Sequence, residues 1–157
     1  MKELEEIYNK INNLNYLLDR KIQILNQVLT ITENQNIVFK EFKNKETHEF
    51  IDISLEEKQN LINELIDIDN MFLKIFESFS GSLNRNKQTF KEDIKNIQSK
   101  IQEITTIDLK IRIQEEKNRQ ISISSVNNSI NNIEKIKTLK ISKHDMLKKY
   151  SNNNKKI

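Results

Sequence analysis

His48, Asp52 and Ser54 put the three residue types of a hydrolytic triad within seven positions of one another, and His48-Glu49 opens the pattern of a zinc-protease helix. A triad needs a base within hydrogen-bond reach of the hydroxyl and an acid behind that base. A zinc helix needs a second His one turn after the first, and Asp52 stands there instead. Ser54 with Glu57 three residues on reads as a capping box at a helix start, which accounts for Ser54 and Asp52 without any catalysis. The other histidine, His144, is remote in sequence. With no Cys there is no thiolate chemistry, and the single Gly cannot build a phosphate-cradling loop. Carboxylates such as Glu56, Glu57, Glu115 and Glu116 are adjacent or on polar faces, without the apolar pocket that raises a pKa for acid catalysis. The sequence therefore predicts no catalytic residue, no metal site and no cofactor, and the protein is expected not to be an enzyme.

Composition sets the frame. The 157 residues suit one domain with a real core, and they contain one Gly, no Pro and no Trp. So little turn chemistry excludes a β-rich fold and leaves an all-α bundle, whose Ile- and Asn-rich helices depend on packing because their intrinsic propensity is poor. Met1-Lys-Glu-Leu-Glu-Glu lacks the apolar run of a signal peptide, and no apolar stretch reaches the length of a membrane span. The expected location is cytoplasmic, with no integral membrane segment. The net charge of +3 is unevenly placed, with eight Lys against one Glu and one Asp from Glu134 to the end. Residues 140–157 read as a basic, loosely ordered tail of a single helical domain spanning 1–157. Only Tyr150 interleaves an aromatic ring with that basic charge, so nucleic acid is not the expected partner.

The elements follow from apolar spacing. The stretch Ile51–Phe79 carries Leu61, Leu65, Ile68, Phe72, Ile75 and Phe79 in steps of four and three, the seam of a helix laid on another helix. A second row, Ile62, Ile66, Leu73 and Phe76, predicts that this helix lies between two others, starting at the Ser54 cap and ending at Ser80-Gly81-Ser82. A first helix is predicted from Glu3 to Ile31, about 40 Å long, on Leu4, Ile7, Ile11, Leu14, Leu18, Ile22, Leu25 and Leu29. The segment from Thr32 to Asp52 reads as the end of that helix or a short extra one, then a loop. Thr89 with Glu92 offers a cap for a third helix, with Phe90, Ile94, Ile97, Ile101 and Ile104 on its stripe. Thr105-Thr106 disturbs the phase before Ile107 and Ile111, and the run from Gln114 to Gln120 is entirely polar. With no breaker present, one long bent helix of about 80 Å from Lys87 to Leu139 is predicted.

Such a helix outruns its partners. The fold expected is an antiparallel bundle of about three long helices with coiled-coil-like packing and a projecting C-terminal helix. Its projecting stripe, Ile130, Ile133, Ile136 and Leu139, together with Met146, Leu147 and Tyr150, is the predicted partner-binding strip.

Leu55-Glu-Glu-Lys-Gln-Asn-Leu-Ile-Asn-Glu-Leu, after a long first helix, and Ile111-Arg-Ile-Gln-Glu-Glu-Lys-Asn-Arg-Gln resemble the second and third helices of bacterial flagellar export chaperones of the FlgN type. The resemblance covers nearly the whole chain. It implies a cytosolic type III export chaperone that holds late substrates, the hook-filament junction proteins, and delivers them to the membrane export gate. By the same resemblance, the client surface falls on the Ile130 to Leu139 stripe, Asn118 matches an Asn of the family's third helix, and Tyr150 matches a C-terminal Tyr used at the gate. The basic C-terminus departs from the family pattern. The other function class open to the sequence is a self-associating coiled-coil structural or adaptor protein, a homo-oligomer whose basic end contacts membrane or nucleic acid.

Overall fold

The computed structural model describes residues 2–41 and 45–132, with side chains through residue 121 and excepting that of Lys45. Three helices account for nearly all of them: α1 (Lys2–Lys40), α2 (Lys45–Arg85) and α3 (Lys91–Asn132). The fold is an all-α bundle, and none of its described helices is long and apolar enough to cross a membrane.

Several of the predicted boundaries move, for identifiable reasons. α1 continues past Ile31 because Thr32, Gln35 and Phe39 extend its buried stripe. α2 begins nine residues before Ser54, so Ser54 is an interior residue whose hydroxyl donates to the Ile51 carbonyl at 2.8 Å rather than capping a first turn. Nor does Gly81 end α2. The helix runs through it with no positive φ, and a Cβ there would meet only Arg85 Nη1, at 3.7 Å. The stop is Asn86, whose Nδ2 donates to the Ser82 carbonyl at 2.7 Å, taking up one of the acceptors left over at a helix C-terminus. The turn is then closed by the Thr89 and Phe90 amides on the Asn86 carbonyl. α3 runs unbroken through Thr105 and Thr106, whose hydroxyls bond back to the Ile101 and Gln102 carbonyls.

The chain forms two compact units, and each helix contributes one stretch to each. The first comprises residues 1–27 and 63–108. Its core joins Ile7, Ile11 and Leu14 of α1 to Phe79 and Leu83 of α2 and to Phe90, with half-buried Phe72, Ile75, Ile94 and Ile97 packed against it. Helix direction is pinned by ion pairs: Glu3 with Arg85 at 3.0 Å and Arg20 with Glu64 at 2.7 Å run α1 and α2 antiparallel, and Lys100 joins Asp19 at 2.9 Å. These pairs are largely exposed and set direction more than they stabilise. In this unit α1, not α2, is the most deeply covered element. Ile7, Ile11, Leu14, Leu17, Leu18, Ile24 and Leu25 are all buried, whereas the second row predicted to make α2 central is exposed at Ile66, Leu73 and Phe76.

Among the described residues, the second unit comprises 28–41, 45–62 and 109–132. Phe39, Ile51 and Leu55 form its apolar cluster, with Val38 and Ile121 against them, and Val28, Ile62 and Ile111 are buried as well.

Candidate functional site

Two features stand out, one in each unit. In the first unit, α2 presents Ile66, Leu73 and Phe76 at 52%, 54% and 41% exposure. The steps of seven and three place them on one face, beside the core row that holds Ile68, Phe72 and Phe79. Phe76 ties the two rows together. Its ring lies parallel to that of Phe72 with centroids 6.3 Å apart and meets Phe79 edge-on at 6.4 Å, so the exposed row continues into an aromatic cluster. The part of α2 in this unit carries Glu64, Asp67, Asp69 and Glu77 against Lys74 and Arg85, with Glu64 paired to Arg20 and Asp69 to Lys21. Asp67, Asp69 and Glu77 are exposed in the same stretch as the apolar row.

In the second unit, all three helices carry polar residues where their buried stripes require apolar ones. Thr32 and Gln35 come from α1, Ser54 and Lys58 from α2, and Glu115 and Asn118 from α3, each buried. Lys58 is the centre of this layer. Its ammonium donates to the Glu115 carboxylate and to Gln35 Oε1 at 2.9 Å. Gln35 Nε2 in turn donates to Ser54 Oγ at 2.8 Å. Asn118 Nδ2 donates to the Thr32 carbonyl at 2.8 Å, while its own Oδ1 accepts from Gln114 Nε2 at 3.1 Å. The Thr32 hydroxyl donates to the Val28 carbonyl at 2.7 Å, with Glu115 Oε1 at a longer 3.4 Å. One cation faces one anion, and neutral amides and hydroxyls fill the remaining sites, the arrangement in which buried charge is tolerated. Burial pulls the Lys58 amine below the usual lysine value, against the attraction and hydrogen bond of Glu115. On the solvent side of α3, Glu116 is held down to about 2 by hydrogen bonds from Arg119 and Gln120.

The chain matches no family model, no curated protein and no solved structure.

The Ser54 hydroxyl is committed to Ile51 and Gln35, and no group of three or more His, Asp or Glu suited to a metal ion occurs among the described residues. An open depression in the second unit is lined by Val38, Glu41, Glu46, Thr47 and Phe50. Of the predicted strip, Ile130 belongs to α3 but its side chain is outside the described set, and Ile133, Ile136, Leu139, Met146, Leu147 and Tyr150 lie outside the described residues. Asn118 is described: it is fully buried in the polar layer. The α2 row was visible in the sequence as a second stripe. The polar layer was visible too, had the four-and-three stepping been continued from Val28 to Thr32 and Gln35, from Leu55 to Lys58, and from Ile111 to Glu115 and Asn118.

Proposed function

We propose that this protein is a binding module and not an enzyme, holding a protein client that docks a basic amphipathic helix on α2. The observation that carries the reading is the exposed Ile66, Leu73 and Phe76 row on an acidic helix. Apolar residues spaced at one helical face are what helix-in-groove recognition uses. Acidic flanks favour a partner with Lys and Arg beside its apolar stripe and speed its approach. Three half-exposed side chains contribute about 1 kcal/mol each when covered, so the contact suits a client that is held and then released.

The resemblance to FlgN-type chaperones gives this reading its specific form: a flagellar type III export chaperone whose clients are hook-filament junction proteins and whose destination is the membrane export gate. On that form, Ile130, Ile133, Ile136, Leu139, Met146, Leu147 and Tyr150 supply a second contact. The test is titration of the full chain with a hook-filament junction protein, comparing the parent with Leu73→Asp/Phe76→Asp and with Ile133→Asp/Ile136→Asp. Loss of binding on the first pair with an unchanged unfolding midpoint supports the α2 face. Loss only on the second pair moves the client to the C-terminal strip. No binding by the parent, with dimers that the α2 pair abolishes, replaces the chaperone by the self-associating adaptor.

A further inference from the structure

We propose that α1 and α2 form, within the second unit, a helix-selecting receptor that admits as its third helix only one presenting Glu and Asn three residues apart, and that the Lys58–Glu115 layer thereby fixes the register of α3. The receptor side is built before α3 is considered. Ser54 holds Gln35, Gln35 holds the Lys58 ammonium, and the Thr32 carbonyl stands ready for one more donor. What remains unmet is one negative charge for Lys58, while the Thr32 carbonyl, already inside α1, has a second lone pair to offer an N–H. Glu115 and Asn118 supply them from successive turns of one face of α3.

Apolar contacts alone do not make that choice. The stripe of α3 is Ile repeated at Ile94, Ile97, Ile104, Ile107, Ile111 and Ile121, so displaced registers still set Ile against the core. The polar layer removes the degeneracy. A shift of one heptad puts Ser122 and Ser125, or Asp108 and Ile111, where Glu115 and Asn118 stand, and a shift of one turn sets Ile111 or Arg119 against Lys58. Only the observed register gives the buried ammonium a carboxylate of the right reach together with an amide donor for Thr32. The inward faces of α1 and α2 themselves carry Thr32, Gln35, Ser54 and Lys58, none of them acidic, so α3 alone of the three helices brings a carboxylate to the layer. A single polar layer that sets register and partner at a cost in stability is the best-attested use of such groups in helical assemblies.

The experiment exploits the absence of Cys. Glu33 on α1 and Lys117 on α3 are both exposed, and Glu33→Cys/Lys117→Cys takes two spin labels in the second unit without other reactive thiols. The labelled parent is expected to show one narrow distance distribution. Lys58→Met or Glu115→Leu alone lowers the folding constant about a hundredfold or more, because each strips the partner from a buried ion. The double variant Lys58→Met/Glu115→Leu recovers most of that loss, yet its distance distribution broadens or splits as alternative registers are populated. A double variant that is stable and keeps the parent's single distribution overturns the proposal, as does a loss below about fivefold in both single variants. Should the apolar double variant fail to fold, the charge-reversed Lys58→Glu/Glu115→Lys decides: return of a single distribution supports the pair as the register determinant, and failure to return refutes it.

Discussion

Leu73 and Phe79 lie on the same helix, six residues apart, and truncating each to Ala separates the exposed row from the core row. Phe79 is 4% exposed and packs with Ile7, Ile11, Leu14 and Leu83, with the Lys10 ammonium 5.9 Å from its ring centroid. Its loss removes a nearly complete transfer free energy and leaves a cavity, about 3–5 kcal/mol in total. Leu73 is 54% exposed. Full burial of a Leu is worth about 1.5–3 kcal/mol, so Leu73 retains less than half of that, about 1 kcal/mol or below, and the better helix propensity of Ala returns a few tenths. Phe79→Ala is therefore expected to lose several times more free energy than Leu73→Ala in urea unfolding followed by far-ultraviolet circular dichroism, with similar m-values in both. The sign of function runs the other way: Leu73→Asp should abolish client binding while leaving the unfolding midpoint close to the parent's. Equal destabilisation by the two Ala variants would place Leu73 in the core and remove the face on which the proposed function rests.

Gly81→Ala should stabilise the protein by about 0.4–1 kcal/mol, since Gly81 sits in a helix interior with ordinary φ and a methyl group would make only an ordinary contact with the Arg85 side chain; a fall in the urea midpoint would show that the backbone there requires Gly. Ser54→Ala should cost about 1–3 kcal/mol by leaving Gln35 Nε2 without an acceptor, and Ser54→Gly should cost still more, whereas an N-cap would lose only a few tenths to Gly. Because the folded-state Lys58 amine lies below its usual 10.5, the unfolded chain binds more protons between the folded value and 10.5, so stability contributed at this group rises with pH across that window. Unfolding free energies measured through the alkaline range should show this upward contribution in the parent and lose it in Lys58→Met. Glu116, depressed to about 2 but fully exposed, adds stability above the ordinary glutamate range that is lost as pH falls through about 2; Arg119→Gln should raise the Glu116 pKa in an NMR titration.

How far the sequence could be read depended on what each residue reports. Three long helices were legible because Ile7, Ile11, Leu14, Leu18 and Leu25 keep a strict apolar spacing that needs no knowledge of partners, and because a chain without Pro offers few places to stop. The ends were less legible. Ser54-x-x-Glu57 has the form of a capping box, but the same Ser satisfies itself inside a helix through Ile51, and what holds it there, Gln35, is nineteen residues away on another helix. Gly81 was misleading for a related reason: a lone Gly marks a stop only when the backbone turns left-handed, and Asn86 supplies the missing donor five residues later instead.

The polar layer exposes the limit of reading by hydrophobicity. The run Gln114–Gln120 interrupts the stripe of α3 in composition but not in geometry, since Glu115 and Asn118 continue inward at the steps that Ile107 and Ile111 began. A buried charge is intelligible only as part of a pair, and the partner here is fifty-seven residues away in sequence. Each member taken alone, Lys58 after two Glu or Glu115 before another Glu, reads as a solvated helix face. The physical cost of misplacing either is what makes the pair selective: a displaced Ile loses part of its burial, while a displaced Glu115 leaves an ammonium buried without its counter-charge, and that asymmetry lets two residues decide a register that a row of Ile leaves open.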